Sequence, residues 1–566
     1  MRPSKRSRTI AAAAPRPLWP PRRVLVSLAS LATATVLVRS GLLEAVVGSI
    51  VDQAVRNIIT LILAFAALMS LLAWFVRESG HPTWLKQMVF GGLLGLVVVA
   101  AGTLRIERVS GDLVPEFTWR WAPARDRRLE ARPAAAPAAA PAWEATADDF
   151  PRFLGPAGSC SLDRPALDPD WAARPPRELW RRPIGAGWSG FVTCGDHAVT
   201  LEQRGDDEIV SCCSLVSGAP EWTVAVKGRH ETVLGGVGPR STPTIHDGVV
   251  YAHGATGWLH AIDGATGRVL WKKDVLDELG IDPAAHAFMV AWGRAGSPLV
   301  TGDLVIVPAG GPRTRRSAQD PEFLSLVAFD RATGQRRWIT GDEQISYVSP
   351  QLVTFGGREM IVSVNEAHVA GYDPADGREL WEHPWPGHSN SDASCSQAVP
   401  VADRRLFLSK GYGIGAAVFE IEKSDAEPWT LREVWRNAGL LKTKFTNVAI
   451  HGGHAYGLSD GILECVRLED GGRRWKAGRY GQGQVFRVGP LLLVQAESGE
   501  VVLVDAAPEK HAVRGRLAAI DGQTWNNLCL SGNRLLVRNA EEAACYELPV
   551  VSGADTAAAA PAGTTP

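Results

Sequence analysis

Two adjacent thiols, Cys212-Cys213, are the first residues in this chain whose spacing suggests chemistry. They lie in the apolar run Val210-Ser211-Cys212-Cys213, which reads as a strand. Neighbouring strand residues point to opposite faces, and that opposes a bond between the two sulfurs. The plainer reading is two buried thiols that pack as small hydrophobes. His451-Gly452-Gly453-His454 offers two imidazoles, but it joins Asn447–Ile450 to Ala455–Leu458 as a hairpin turn with no evident third ligand. Gly235-Gly236-Val237-Gly238 and Gly411-Tyr412-Gly413-Ile414-Gly415 lie between strands rather than before a helix, so neither reads as a phosphate loop. No catalytic residue and no metal site is assigned from these motifs.

The elements that must position such residues come from a recurring phrase: an apolar strand, Asp, a Gly turn, then Trp. It runs from Leu259 through Ile262-Asp263 and Thr266-Gly267 to Trp271, and again from Leu326 through Phe329-Asp330 and Thr333-Gly334 to Trp338. A third copy runs from Val369 through Tyr372-Asp373 and Gly377 to Trp381. The apolar alternation makes a half-buried strand, the Asp accepts from turn amides, the Gly tolerates positive φ, and the Trp is a rigid wedge between sheets. Degenerate copies end at Trp222, Trp435 and Trp475, and one more is expected near Arg514-Gly515-Arg516-Leu517. A period of about 40–50 residues suits a four-stranded propeller blade. Glu178-Leu179-Trp180 has no strand before it, and Ala543–Leu548 has none after it. Pairing the two closes an eight-bladed ring and removes its free edges.

The phrase, together with the lead-in Asp149-Phe150-Pro151-Arg152-Phe153-Leu154-Gly155-Pro156, resembles the repeat of the PQQ-like (quinoprotein alcohol dehydrogenase-like) β-propeller family, in particular its membrane-anchored bacterial branch. The resemblance implies an all-β, eight-bladed propeller. In the family's dehydrogenases two adjacent cysteines pack on the quinone, so PQQ and calcium enter as cofactors by resemblance only, and Cys212-Cys213 as their counterpart by residue type. Propellers host unrelated functions, so the fold does not choose between them.

In a four-stranded blade the loop before the first strand and the loop between the second and third lie on one face, where binding residues collect. On that face the sequence places Glu202, Arg204, Arg240, Arg294, Tyr347, Asn365, Lys410, Tyr412, Lys444, Arg479, Tyr480, Trp525 and Asn526. Such groups recognise carboxylates, phosphates and planar rings. For any single residue, a solvated charge or an inter-blade ion pair is the competing reading. The set predicts a positive central depression, moderated by Glu202, Glu366 and Glu497, for an anionic or planar ligand or a protein partner.

The N-terminus is basic, with Arg2, Lys5, Arg6, Arg8, Arg16, Arg22 and Arg23 and no acid. Apolar runs follow at Val24–Val38, Asn57–Val76 and Met88–Leu104. The expected organisation is a cytoplasmic tail over 1–23, an α-helical membrane anchor over 24–104 and a juxtamembrane segment with an Ala/Pro-rich linker over 105–147. The propeller follows over 148–550 and a disordered tail over 551–566. Three spans with basic residues inside put the propeller on the outer, periplasmic side of the cytoplasmic membrane. Two alternatives stand beside this: a cleaved signal peptide, or two spans with the propeller inside. The formal net charge of −1 and the lack of a long basic run past the tail argue against nucleic acid. The cysteines show no metal-type spacing, and Cys529 and Cys545 are the pair closest to a disulfide.

Two functions remain. One is a tethered binding or scaffold module, the other a quinoprotein dehydrogenase with quinone, calcium and a carboxylate base. The lean blades and the lack of a placeable calcium set favour the binding module.

Overall fold

A computed structural model describes residues 17–40, 52–129, 141–314, 322–422 and 429–551. Most of the basic tail, the centre of the Ala/Pro-rich linker and the C-terminal tail lie outside the described residues. The chain forms two compact units, residues 1–107 with 112–122, and residues 108–111 with 123–566.

The first unit holds three helices, α1 (Arg22–Ser40), α2 (Gln53–Arg77) and α3 (Thr83–Thr103). Each is long and apolar enough to cross a membrane. Asp52 caps α2 by accepting from Val55 N at 2.9 Å. Leu61, Phe65, Leu96 and Val98 are more than half exposed, the pattern of helices whose apolar surface is not covered by protein.

The second unit is an eight-bladed propeller. Its blades begin at Val192, Thr244, Leu299, Gln351, Val399, Ala449, Gln484 and Cys529, and each is an antiparallel meander of four strands. In blade 8 the outermost strand is Arg177–Pro183, which pairs with Glu542–Glu547 and sets Trp180 opposite Cys545. Both ends of the repeat region therefore close one sheet, as the two orphan strands predict. Inside blade 7 a fifth strand, Ser161–Leu162, adds in parallel to Gln484–Val488.

The repeat phrase performs the work its residues suggest. Asp263 Oδ1 accepts from Thr266 N at 3.0 Å and Thr266 Oγ1 at 2.8 Å, and Asp330 does the same with Thr333 at 2.9 Å each. The Trp of one blade lies on the Gly turn of the next at Trp180, Trp222, Trp271, Trp338 and Trp435. Trp222 Nε1 donates to Gly264 O at 2.7 Å, and a Cβ on Gly267 (φ +71°) would fall 2.8 Å from the Trp222 ring. The same bond recurs from Trp180 to Leu215 O, Trp271 to Arg331 O, Trp435 to Leu468 O and Trp475 to Ala507 O. Burial is uneven: Trp222 and Trp381 are fully buried, whereas Trp271 and Trp338 are half-buried. In blade 7 Gly515 stands where a Trp belongs, and Trp171 of the lead-in fills the gap, 2.6 Å from where a Gly515 Cβ would sit.

The lead-in crosses the face opposite the candidate loops. Phe150 N donates to Thr193 Oγ1, Ile245 N to Pro151 O, Gln351 Nε2 to Gly158 O and Arg487 N to Cys160 O. It thus touches the innermost strands of blades 1, 2, 4 and 7 and closes the axis from that side. A cavity of about 240 Å³ remains between it and the inner strands of blades 3 to 5. All eight cysteines are free, Cys529 and Cys545 included. Cys212 and Cys213 enter separate core clusters, as strand alternation requires.

Candidate ligand-binding face

Residues in the loops just before the innermost strands join into a belt around the axis. Gly190 N donates to Thr242 Oγ1 at 3.1 Å, Thr242 N to Ser297 Oγ at 2.9 Å and Ser297 N to Ser349 Oγ at 2.9 Å. Gln397, with its amide turned to suit, exchanges bonds of 2.9 and 3.1 Å with Ser349, and Gln397 N donates to Asn447 Oδ1 at 3.0 Å. Gln484 Nε2 reaches Phe445 O and Trp525 O, and Asn526 Nδ2 reaches Ser189 O at 2.8 Å. Blade is thus tied to blade around the whole ring. The signal for this belt was in the sequence, as Thr242-Pro243, Ser297-Pro298 and Ser349-Pro350 before three inner strands.

The structure divides the sequence-predicted set. Five members are interior fasteners. Glu202 is fully buried and accepts from Arg204 at 2.8 Å and from Gly185 N. Burial pushes its carboxyl upward, but Arg204 and then Arg538 outweigh that and hold it below the ordinary range. Arg294 is buried, donating to His253 Nε2 and His286 Nε2 at 3.1 Å each and to Ala309 O at 2.7 Å. Burial pulls it down to about 9, and burial plus Arg294 pushes His286 down to about 3. Asn365 bonds Ser325 and Ser363, Tyr480 OH meets His511 Nε2 at 2.9 Å, and Asn526 belongs to the belt. Arg204 serves Glu202, and Arg479 is an exposed rim residue that reaches Asp460 O at 3.4 Å.

The other six, Arg240, Tyr347, Lys410, Tyr412, Lys444 and Trp525, surround the mouth of the axis in one circuit. Trp525 packs on Trp188 (centroids 4.8 Å apart), whose Nε1 donates to Gly235 O at 2.7 Å. Arg240 Nη2 donates to the same carbonyl. Arg240 interacts electrostatically with Tyr347 and Cys395, and Cys395 with Lys410. Two residues beyond Lys410, the Tyr412 ring lies 6.0 Å from Lys444 Nζ, and the next residue, Phe445, returns to Trp525 at 5.1 Å.

This mouth concentrates cations with little water around them. Lys410 is 1 % exposed and Lys444 4 %. Burial pulls Arg240 down to about 10, so it remains charged at neutral pH, and burial also lowers Lys410 from its ordinary range. Lys410 Nζ donates to Pro386 O at 2.7 Å and lies 3.9 Å from Asp392, while Lys444 lies 3.7 Å from Asp460. Tyr347 OH donates to Ser389 O at 2.7 Å and accepts from Trp292 N at 3.2 Å. The neighbouring thiol of Cys395 is pushed up to about 12 by burial despite two cations beside it, so it stays protonated and is no nucleophile. An anion entering here meets preorganised positive charge and flat aromatic faces.

Part of this face already holds backbone. In the segment Arg108–Gly111, Gly111 N donates to Glu497 Oε1 at 2.7 Å and Val109 O accepts from Gln523 Nε2 at 2.9 Å. Arg108 pairs with Glu541 at 2.9 Å. The side chains over blades 7 and 8 thus hold the end of a strand and the turn after it by both C=O and N–H.

These residues do not fit a quinone with calcium. The carboxylates of this face are already engaged: Glu202 on Arg204 and Gly185, Glu497 on Gly111, Trp525 and Gln482, Glu366 on Ser389 N at 2.7 Å, and Asp392 and Asp460 beside Lys410 and Lys444. Cys212 and Cys213 lie within blade 1, on opposite sides of one strand, and not at the mouth.

Residues 206–477 match a family model described as Outer membrane protein assembly factor BamB. The protein of that name from Yersinia pestis is 23% identical over 323 residues, 55% of this chain and 70% of that one. A 1-butanol dehydrogenase (quinone) from Thauera butanivorans is 25% identical over 179 residues, 29% of this chain and 25% of that enzyme. Among solved structures, a europium-containing methanol dehydrogenase shares 12% identity at a TM-score of 0.50, covering 69% of this chain and 89% of that one. The quinohemoprotein alcohol dehydrogenase from Comamonas testosteroni shares 12% identity at 0.50, covering 72% and 81%. At such identities the structural likeness speaks for the fold.

Proposed function

The chain carries a PQQ-like β-propeller, and we propose that it works as a membrane-tethered binding or scaffold module on the outer side of the cytoplasmic membrane. The observation that carries the reading is the mouth itself, where Arg240, Lys410 and Lys444 stand among Tyr347, Tyr412 and Trp525 with little solvent. Desolvated cations favour an anionic guest, and aromatic faces favour a planar or extended one. The backbone seating of Arg108–Gly111 next to it supports a protein segment as partner, and the cations of the mouth favour an acidic one. A relative named as an assembly factor points toward protein partners as well.

A dehydrogenase is the second reading, favoured by the quinone enzymes among the relatives. The spent carboxylates at the mouth count against it.

The test uses the full chain in detergent and a fluorescein-labelled Asp/Glu-rich peptide, read by anisotropy and by Trp emission. Binding is expected for the wild type and is lost in the double reversal Arg240→Glu, Lys444→Glu with its unfolding midpoint retained. Binding unchanged by both reversals, or equal binding of a Lys-rich peptide, refutes the reading.

A further inference from the structure

Blade 1 contains a group of side chains that the binding face does not use. His197 Nδ1 lies 2.7 Å from Glu221 Oε2, Cys212 Sγ lies 3.3 Å from the same oxygen, and all three donor atoms fall within 4.8 Å of one another. They come from three adjacent strands: His197 starts the second, Cys212 lies in the third opposite Val199, and Glu221 lies in the fourth beside Trp222.

The repeat shows that the fold does not require this trio. A bulge in the pairing of the third and fourth strands recurs in every blade, between Cys212 and Cys213 here and between Ala261 and Ile262 in blade 2. Counting from it, the three positions hold Val249, Ala261 and Leu270 in blade 2 and Met360, Gly371 and Leu380 in blade 4. Blade 6 comes nearest with His454 and Cys465, but it carries Arg474 at the third position. Apolar residues serve blades 2 and 4, so the three donors in blade 1 are an addition to the repeat.

We propose that blade 1 binds one thiophilic divalent cation of the zinc class through His197, Cys212 and Glu221, with water in the fourth position. A nitrogen, a sulfur and a carboxylate oxygen are the donors a tetrahedral zinc ion takes, and neighbouring donors on such an ion stand about 3.5 Å apart. The separations of 2.7 and 3.3 Å, with all three donors within 4.8 Å, lie near that spacing, so small side-chain rotations open room for the ion. Calcium and magnesium, which prefer six or more oxygens, do not suit a thiol and an imidazole. Trp143 stacks on the His197 ring with centroids 4.6 Å apart and planes 13° from parallel, which fixes the imidazole and covers it from one side. His197 and Glu221 remain about a third exposed, which gives the ion a way in. The thiol proton leaves to solvent as the sulfur–metal bond forms, so binding strengthens as pH rises.

The full chain, purified in detergent and stripped with EDTA, is titrated with Co²⁺ and, against a chromogenic chelator, with Zn²⁺. One equivalent is expected, with a thiolate-to-cobalt charge-transfer band and a change in the emission of the Trp143–Trp222 pair. Cys212→Ser loses the band. His197→Gln and Glu221→Gln weaken binding by more than the roughly 10- to 100-fold that loss of a supporting residue costs. Cys213→Ser, on the opposite side of the strand, keeps the band. His197→Gln, at a part-exposed strand end, keeps the test usable if Cys212→Ser does not fold. No band in the wild type overturns the proposal, as does a band that survives Cys212→Ser or is lost equally in Cys213→Ser.

Discussion

Replacing Trp222 with Ala tests whether the propeller is held by one blade's Trp resting on the next blade's turn. Trp222 is 1 % exposed and packs among Val199, Val210, Val250 and Ile262. Deleting a buried Trp side chain costs about 3–5 kcal/mol. The bond to Gly264 O at 2.7 Å is lost with it, adding about 1 kcal/mol. Trp271 makes the same bond, to Arg331 O at 2.9 Å, but is half-buried, so Trp271→Ala is expected to cost about half as much, roughly 2–3 kcal/mol. Urea unfolding of the full chain in detergent, followed by far-UV circular dichroism, compares the two midpoints. Equal costs, or a larger one at Trp271, would show that burial against the neighbouring blade is not what these residues contribute. Near-neutral effects at both would dismiss the interlock altogether.

Further outcomes are expected elsewhere. His286 and His253 are kept neutral by burial and by Arg294, below their unfolded value of about 6.5. The unfolded chain therefore binds more protons below that pH. Stability should be level above about pH 6.5 and fall as pH drops toward 3, and His286→Gln, which keeps an acceptor for Arg294, should flatten the slope of midpoint against pH. Trp171→Ala should destabilise blade 7 by about 3–5 kcal/mol, and adding Gly515→Trp should recover part of that loss, measured by the same unfolding midpoints. No recovery would mean that Trp171 does not stand in for the missing Trp. Protease added to intact spheroplasts should degrade the 150–550 region; protection until lysis would favour two spans and an inward propeller.

Much of the fold was legible because the phrase repeats. Asp263, Gly267 and Trp271 each have a local job that sequence spacing reveals, and the orphan strands at Trp180 and Tyr546 announce their own pairing. The uneven burial of the tryptophans was not legible, since it depends on which residues the next blade presents: Trp271 and Trp338 read the same as Trp222 but are less covered. The substitution of Trp171 for a Trp at Gly515 joins residues too far apart for any window to connect. At the mouth, the sequence pointed to loops of one face but could not separate Arg240 and Lys410 from Arg294 and Glu202. All four are polar loop or strand-end residues, and only the packing shows which of them fasten one blade to another. The trio in blade 1 was not legible, because His197, Cys212 and Glu221 show no ligand spacing along the chain; strand register alone gathers them.

The joint in blade 8 also sets a clock on the molecule's birth. Trp180 and its partner Cys545 are made about 365 residues apart, and ribosomes add roughly 5–20 residues per second, so the first strand waits on the order of 20–70 s for its mate. Blades 1 to 7 can assemble one after another during that interval, each on the one before. The circle itself cannot lock until nearly the whole chain has emerged. A nascent chain stalled or truncated before Glu542 is therefore an open spiral rather than a smaller ring, recognisable to proteases by the unpaired Arg177–Pro183 strand.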